Sequence, residues 1–236
     1  MVEIDKSRRF FIGTDGETVY YIESPTADDI RKADWQYSKT YTQCMIEGIT
    51  TQAELVDILT KRGIIGPEFE RRADELFKNL EKKLELLAVT KDTAEKEKLA
   101  IDASAARAEM YQWNQRLTGP MNNSAEQISD NARLEHLTSC MVVNKEGKRL
   151  WDSYQKYMEE KDQTLSMRAV YEVMLFLRGL DSDFMNQTPE AVAMKEIEQD
   201  IVKQADEYVK AVAAVEKEEL EDSASQKDDH GAKKKK

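Results

Sequence analysis

The chain has 236 residues and a formal net charge of −11, with 46 acidic against 35 basic side chains. This balance argues against nucleic-acid binding, because a protein that binds nucleic acid needs an excess of Lys and Arg to neutralise phosphates. Glycine and proline are scarce and no apolar run approaches the roughly 18–20 residues of a membrane span, so we expect a helix-rich protein without a membrane partner.

The first predicted element is a β-hairpin over residues 9–22. Two runs rich in aromatic and β-branched residues flank the Gly13–Gly16 segment, which contains the residue types that hairpin turns prefer. Because a self-standing sheet normally needs three or more strands, we expect this hairpin to pack against the helix that follows. That helix should begin in the segment Ser24-Pro25-Thr26, whose hydroxyls can cap it, with Asp28 and Asp29 in its first turn.

A second helix is predicted to begin at Thr51 and to end at Gly63. Thr51 and Glu54 have the spacing of a capping box, in which each side chain accepts a hydrogen bond from the backbone of the other. Glycine is the favoured residue just after a helix end. We therefore expect residues 1–65 to form a compact N-terminal unit of two strands and two helices.

Two long helices should follow and form an antiparallel hairpin over residues 66–118. The first begins at Pro67, because proline favours the first helical position, and the second covers residues 94–117 after a break at residues 91–93. The second helix is rich in alanine, which permits close packing. The first carries the alternating spacing of a coiled-coil seam, at Phe69, Ala73, Leu76, Leu80, Leu84 and Leu87.

Residues 119–220 are predicted to form a C-terminal helical module. Residues 119–124, which begin with Gly119-Pro120, mark the break before it, and one helix then leads into an extended arm that turns at Gly147. Three further helices are expected at residues 152–160, at residues 164–180 and from Thr188 onward. Apolar residues vanish from residue 221, so residues 221–236 should be a disordered tail. The predicted fold class is mainly α, a helical bundle with a long antiparallel helical hairpin and a small N-terminal β-hairpin.

The residue patterns that metal sites and catalytic sites need are missing. The chain has only 2 histidines, and Cys44 and Cys140 lie far apart without CxxC spacing, so both thiols are expected to be free in a reducing compartment. Ser153 and Lys156 match the spacing of some acyl enzymes, but no companion motif accompanies them and chance explains the match better. We therefore expect a protein that is not an enzyme and that holds no cofactor and no metal.

Two sets of large side chains at helical spacing are the candidates for binding a partner. The aromatic set on the first helix has two interpretations, packing of the β-hairpin on the helix or an exposed anchor patch of the kind that interfaces favour. The methionine-rich set either fills an irregular core or forms an adaptable binding surface. The candidate client-binding residues are Trp35, Tyr37 and Tyr41 in the first set and Met167, Tyr171 and Met174 in the second.

Residues 140–151, with the sequence CMVVNKEGKRLW, resemble the C-terminal module of the tail assembly chaperones of tailed bacteriophages. That module combines a short apolar arm, an acidic glycine turn, an aromatic residue, a short helix and a terminal apolar helix. Residues 171–181 are similar to its closing segment, and the resemblance is best over residues 140–184. The turn keeps only Glu146 of the acids usual in the family, and the predicted helical hairpin lies outside the family's pattern.

The resemblance implies a non-enzymatic protein that coats the long tape measure protein during tail assembly in the host cytoplasm and is then shed. The expected partners are phage tail or baseplate proteins, with the tape measure protein as an amphipathic helical client. Nucleic acids and membranes are not expected as partners, and self-association is left open. The alternative is a permanent structural component of the virion or its baseplate.

Overall fold

The computed structural model describes residues 8–229, with side chains described up to Lys210. Within this range the backbone forms eight α-helices and three short strands, which confirms the mainly α fold. The helices are α1 (Ala27–Ile46), α2 (Gln52–Lys61), α3 (Pro67–Val89), α4 (Thr93–Met121), α5 (Ala125–Met141), α6 (Tyr154–Met158), α7 (Gln163–Leu177) and α8 (Pro189–Asp229). The strands are β1 (Phe10–Ile12), β2 (Val19–Ile22) and β3 (Val142–Val143), and a 3-10 turn covers Phe184–Gln187.

The capping box predicted at the start of α2 forms, and the predicted start of α1 has a capping box as well. The Thr26 hydroxyl accepts a hydrogen bond from the Asp29 N–H at 3.2 Å, and the Asp29 carboxylate accepts one from the Thr26 N–H at 3.1 Å. Thr51 and Glu54 exchange the same two bonds. These bonds satisfy backbone donors that a helix start otherwise leaves open. Gly63 follows α2 with a φ of +68°, a left-handed conformation that favours glycine.

The predicted hairpin is part of a three-stranded antiparallel sheet in the order β1-β2-β3. Its third strand comes from the predicted extended arm, where Val143 lies opposite Tyr21 of β2. The arm turns at Gly147, which has a φ of +79°, and returns so that Arg149 forms a bridge to Val143. The hairpin thus gains its third strand from a segment more than a hundred residues away in the sequence.

The described chain divides into two compact units. The first contains residues 8–79 and 106–185, and the second contains residues 80–105 and 186–229. In the first unit the sheet, α1, α5, α6 and α7 enclose an apolar core. Its buried residues are Phe11, Ile22, Ala33, Leu137, Met141, Val142, Trp151, Tyr157, Leu165, Ala169 and Val173.

The helices α3 and α4 run antiparallel, as predicted for the hairpin. In the first unit Phe69 stacks on Trp113 with ring centroids 5.3 Å apart, and the Trp113 indole N–H donates to the Phe69 carbonyl at 3.3 Å. In the second unit Leu87 packs in a small core with Ala100 of α4 and Ala193 of α8. A leucine that faces two alanines lets the three helices approach closely, which is how an alanine-rich helix contributes to a core.

The helix α4 continues past the predicted end at residue 117, through Gly119-Pro120, to Met121. Proline removes one backbone donor, and in the last turn of a helix this loss costs little because the chain leaves the helix immediately afterwards. The chain is non-helical at residues 122–124, within the predicted break at residues 119–124. Ser124 then caps α5, because its hydroxyl accepts a hydrogen bond from the Gln127 N–H at 3.1 Å.

The C-terminal helices also differ from prediction in length. α6 is shorter than the predicted residues 152–160, and α7 ends at Leu177 instead of residue 180. α8 continues past residue 220 to Asp229, because extending an existing helix costs far less than starting one. Of the predicted disordered tail, residues 221–229 are thus helical, and residues 230–236 lie outside the described part of the chain.

Candidate partner-binding surface

The aromatic residues predicted on α1 lie on different sides of that helix. Tyr37 and Tyr41 are one turn apart, their rings stack with centroids separated by 6.0 Å, and both side chains are half-buried. Trp35 precedes Tyr37 by two residues, which turns it roughly 160° away around the helix axis. Its side chain is 72% exposed. The three residues therefore do not form a single patch.

The pair Tyr37 and Tyr41 lies on the side of α1 that packs against α5. Burial raises the pKa of Tyr37, and the carboxylates Asp130 and Glu126 of α5 raise it further because they oppose a phenolate. The influence of these two acids places the Tyr37 ring next to α5. The pair therefore has a packing role between two helices, while Phe11 and Ile22 of the β-hairpin share the core with Ala33 of α1.

The second predicted set comes together as one surface. We define the α7 face as Met167, Tyr171 and Met174, which follow one another at spacings of four and three residues and so share one side of the helix. Met167 is 73% exposed, Tyr171 is 42% exposed and Met174 is half-buried. On another side of α7, Ala169 and Val173 are completely buried in the core. One side of α7 thus builds the fold while an apolar side stays open.

Polar contacts fix α7 beside β1. Asp162 caps the helix by accepting a hydrogen bond from the Leu165 N–H at 2.9 Å. Farther along, Arg9 Nη2 lies 3.1 Å from Glu172 Oε2, and both side chains are largely buried. The Ser182 hydroxyl donates to the same carboxylate oxygen at 2.6 Å. Because a buried ion pair needs such additional hydrogen bonds to offset its lost hydration, this cluster favours one orientation of α7.

Arg168 is a residue of this surface that the sequence-based prediction missed. It is exposed on α7 and borders two open clefts beside β1, with volumes of about 600 Å³ and about 680 Å³. Within the described residues, its guanidinium has no ion pair and no hydrogen bond. Arg168 lies three residues before Tyr171, so the two side chains are neighbours on the helix surface. Helical spacing alone could have placed this cation at the edge of the α7 face.

The extended arm that turns at Gly147 has a structural role in this fold. Arg149 Nη2 lies 3.0 Å and 2.9 Å from the two carboxylate oxygens of Asp29, at the start of α1. Burial opposes the charge of Asp29, but hydrogen bonds from Thr26 and Arg149 outweigh it and lower its pKa to about 2. Trp151 is buried, and its indole N–H donates to the Glu160 carboxylate at 3.0 Å.

The side chains that suggested chemistry occupy structural positions. The Ser153 hydroxyl accepts from the Lys156 N–H at 3.2 Å as the cap of α6, which accounts for the Ser-x-x-Lys spacing. Burial lowers the pKa of His136 and raises the pKa of Cys140. Among residues 8–229, no three His, Cys, Asp or Glu side chains are grouped so that they could hold a metal ion. None of the described helices has the length and apolar character that crossing a membrane requires.

The open apolar face, Arg168 at its edge and the buried ion pair of Arg9 and Glu172 all lie on or beside α7. Comparison of the chain with family models, curated proteins and solved structures found no match. The function is therefore inferred from this surface and from the resemblance of residues 140–184.

Proposed function

We propose that the protein is a non-enzymatic tail assembly chaperone of a tailed bacteriophage, which binds an amphipathic helical client such as the tape measure protein through the α7 face. The exposure of Met167 and Tyr171, on a helix whose other side is buried, is the observation that carries this proposal. The resemblance of residues 140–184 supports the phage context. The protein would act in the host cytoplasm, before the tail is complete.

A helical client fits the α7 face for a geometric reason. Met167, Tyr171 and Met174 form a stripe about 10 Å long, at the spacing with which one amphipathic helix docks on another. Methionine has an unbranched, flexible side chain that adapts to irregular partners. Tyrosine is a frequent anchor at interfaces because it combines apolar area with a polar tip. The stripe therefore suits a client that presents apolar residues one turn apart.

Charge favours a client with acidic residues beside its apolar stripe. Arg168 lies at the edge of the α7 face and has no ion pair in the described part of the chain. A carboxylate of the client can accept two parallel hydrogen bonds from its guanidinium. The net charge of −11 keeps the protein soluble while it covers the apolar surface of the client.

Co-expression with a tape measure fragment from the same phage tests the proposal. Met167→Glu and Tyr171→Asp should abolish co-purification of the fragment, because each places a charge inside the apolar contact. Both variants should keep the wild-type far-ultraviolet dichroism and melting temperature, since the side chains are exposed. Met45→Glu is the matched control, because Met45 is a half-exposed methionine on α1, and it should still capture the fragment.

The outcomes separate the client site from the function itself. If Met167→Glu captures the fragment as well as the wild type does, the α7 assignment is wrong. Trp35→Ala then tests whether the exposed indole on α1 is the anchor instead. If the folded wild type never captures a fragment, the chaperone proposal fails. Mass spectrometry of purified particles addresses the alternative, because a virion component is stoichiometric there and a chaperone is absent or scarce.

A further inference from the structure

The helix α8 carries an apolar side that is open to solvent. Its first turns belong to the core of the second unit, where Ala193 and Ile197 are buried. Beyond Ile197 the helix continues, and up to Lys210 its large apolar side chains lie outside that core. Four of them are each more than half exposed: Ile201, Val202, Tyr208 and Val209. Large side chains grouped in this way on one helix are typical of an interface.

The spacing on α8 is that of a coiled-coil seam. Ile201, Ala205 and Tyr208 follow one another at intervals of four and three residues, and the sequence continues the alternation at Val212 and Val215. A helix with this repeat places these residues along one line, so that they pack between the side chains of a parallel or antiparallel neighbour. The repeat is therefore suited to another helix and not to a sheet or an irregular loop.

The positions beside the seam indicate which helix that neighbour is. Val202 and Val209 flank it on one side, and Gln204 and Ala211 flank it on the other, so no charge lies next to the seam from Ile201 to Ala211. Beyond Ala211, charged residues occupy the equivalent positions at Glu216 and Glu218, beside the continuation of the repeat at Val215. In coiled coils the charges at these flanking positions select partners and reject others. Between Ile201 and Ala211 an identical helix therefore meets no like-charge repulsion at these positions, although the whole chain carries a net charge of −11.

The charged residues of the same stretch lie on the outer side of the helix. Lys203 is paired with Asp200 at 3.2 Å, and both side chains are well exposed. Asp206 and Glu207 precede Lys210, so acids and bases are mixed on this side. Outer charges of both signs keep the helix soluble without opposing an approach along the seam.

We propose that α8 packs against α8 of a second copy of this chain through Ile201, Ala205 and Tyr208, so that the protein is a homo-oligomer held by a helical bundle. The apolar flanks Val202 and Val209 enlarge the buried surface and allow more than two helices to meet. This proposal concerns the second unit and does not rest on the proposed chaperone function.

Sedimentation equilibrium of the full chain over roughly 1–100 µM tests the proposal, because self-association responds to concentration by mass action. The wild type should show an average mass that rises above 27.2 kDa toward a whole multiple of that value. Ile201→Asp and Tyr208→Asp should raise the dissociation midpoint about 100-fold or more, since each removes apolar contact from every copy and adds a charge to the seam.

Gln199→Asp is the matched control for these variants. It adds the same charge two residues before Ile201, on the exposed outer side of α8, and should keep the wild-type mass. Where an aspartate variant also loses helix, Tyr208→Leu tests the seam instead. Leucine fits a coiled-coil seam better than tyrosine does, so this variant should lower the dissociation midpoint. A wild type that stays at 27.2 kDa throughout overturns the proposal. Equal effects of Ile201→Asp and Gln199→Asp, or an unchanged midpoint in Tyr208→Leu, overturn it as well.

Discussion

Replacing Asp29 by asparagine removes one charge from a buried cluster that joins two distant segments. The Asp29 side chain closes the capping box of α1 with Thr26, and its two carboxylate oxygens face the guanidinium of Arg149 in the returning arm. The asparagine side chain would keep a similar volume and one acceptor oxygen. It would lose the second acceptor and the charge, and it would place an amide donor against Arg149.

The pKa of Asp29 sets the size of this effect. A carboxyl group with an ordinary pKa of 3.8 has a value of about 2 in the folded protein. Each pKa unit corresponds to about 1.4 kcal/mol, so the charged form contributes about 2 kcal/mol to the free energy of unfolding at neutral pH. Asp29 is only 3% exposed, but the side chain of its partner Arg149 is 43% exposed, so solvent screens their attraction and this figure is an upper limit. We expect Asp29→Asn to destabilise the protein by up to about 2 kcal/mol at pH 7.

The stabilisation by Asp29 should decrease as the pH falls. The folded pKa of Asp29 lies below the unfolded value, so its contribution is complete well above pH 3.8 and is lost as the pH falls toward 2. Urea unfolding of both proteins should show a difference at pH 7 that shrinks to about half near pH 3. Asp28→Asn, which alters the exposed neighbour, is the control and should change stability little. A cost below about 0.5 kcal/mol at pH 7, or one that is independent of pH, would refute the reasoning.

Two further predictions concern the helices. Leu80→Ala should lower the free energy of unfolding by about 2–5 kcal/mol, because Leu80 is buried, whereas the same change at the half-exposed Leu86 should have a small effect in urea unfolding. Burial lowers the pKa of His136, so unfolding takes up a proton and the wild type should lose stability as the pH falls below about 6.5. His136→Gln should reduce this loss of stability between pH 7 and pH 5 in thermal melts. If the melting temperature of the variant falls with pH as steeply as that of the wild type, the prediction is wrong.

The parts of the fold that the sequence predicts correctly depend on local signals. The capping box at Thr51 needs only residues three positions apart, the start of α1 needs only hydroxyls followed by acids, and the turn of the β-hairpin needs only the Gly13–Gly16 segment. The leucine seam of α3 is likewise a matter of spacing along one helix. In each case the residues that determine the structure are neighbours in the chain, so composition and periodicity are sufficient.

The parts that were missed depend on contacts between distant segments. Val143 pairs with Tyr21, and Arg149 pairs with Asp29, each across more than a hundred residues. The spacing of residues near Val143 or Arg149 does not identify either partner. Any strand with a free edge could pair with Val143, and any buried carboxylate could bind Arg149. The continuation of α4 through Pro120 is a different case. Gly119-Pro120 favours the end of a helix, but in the last turn a proline costs the helix little.

For the candidate site, periodicity predicts which residues share a side of a helix but not whether that side is covered. Tyr37 and Met167 both belong to apolar stripes in the sequence. One is half-buried against α5, and the other is 73% exposed. The difference depends on whether another helix packs on each stripe. The arrangement of the helices in the whole fold determines this, so only the structure could separate the pair on α1 that packs against α5 from the exposed residues on α7.

The two proposals have a joint consequence for a long client. The α7 face and the α8 seam share no residue, so each copy that joins through α8 brings its own α7 face to the assembly. Under both proposals each assembly carries several α7 faces, and wherever a client helix reaches a second face after the first, that contact forms at a high effective concentration. A stripe about 10 Å long binds weakly alone. Self-association would therefore give a small surface enough avidity to coat a client, while each single contact stays weak enough to be released.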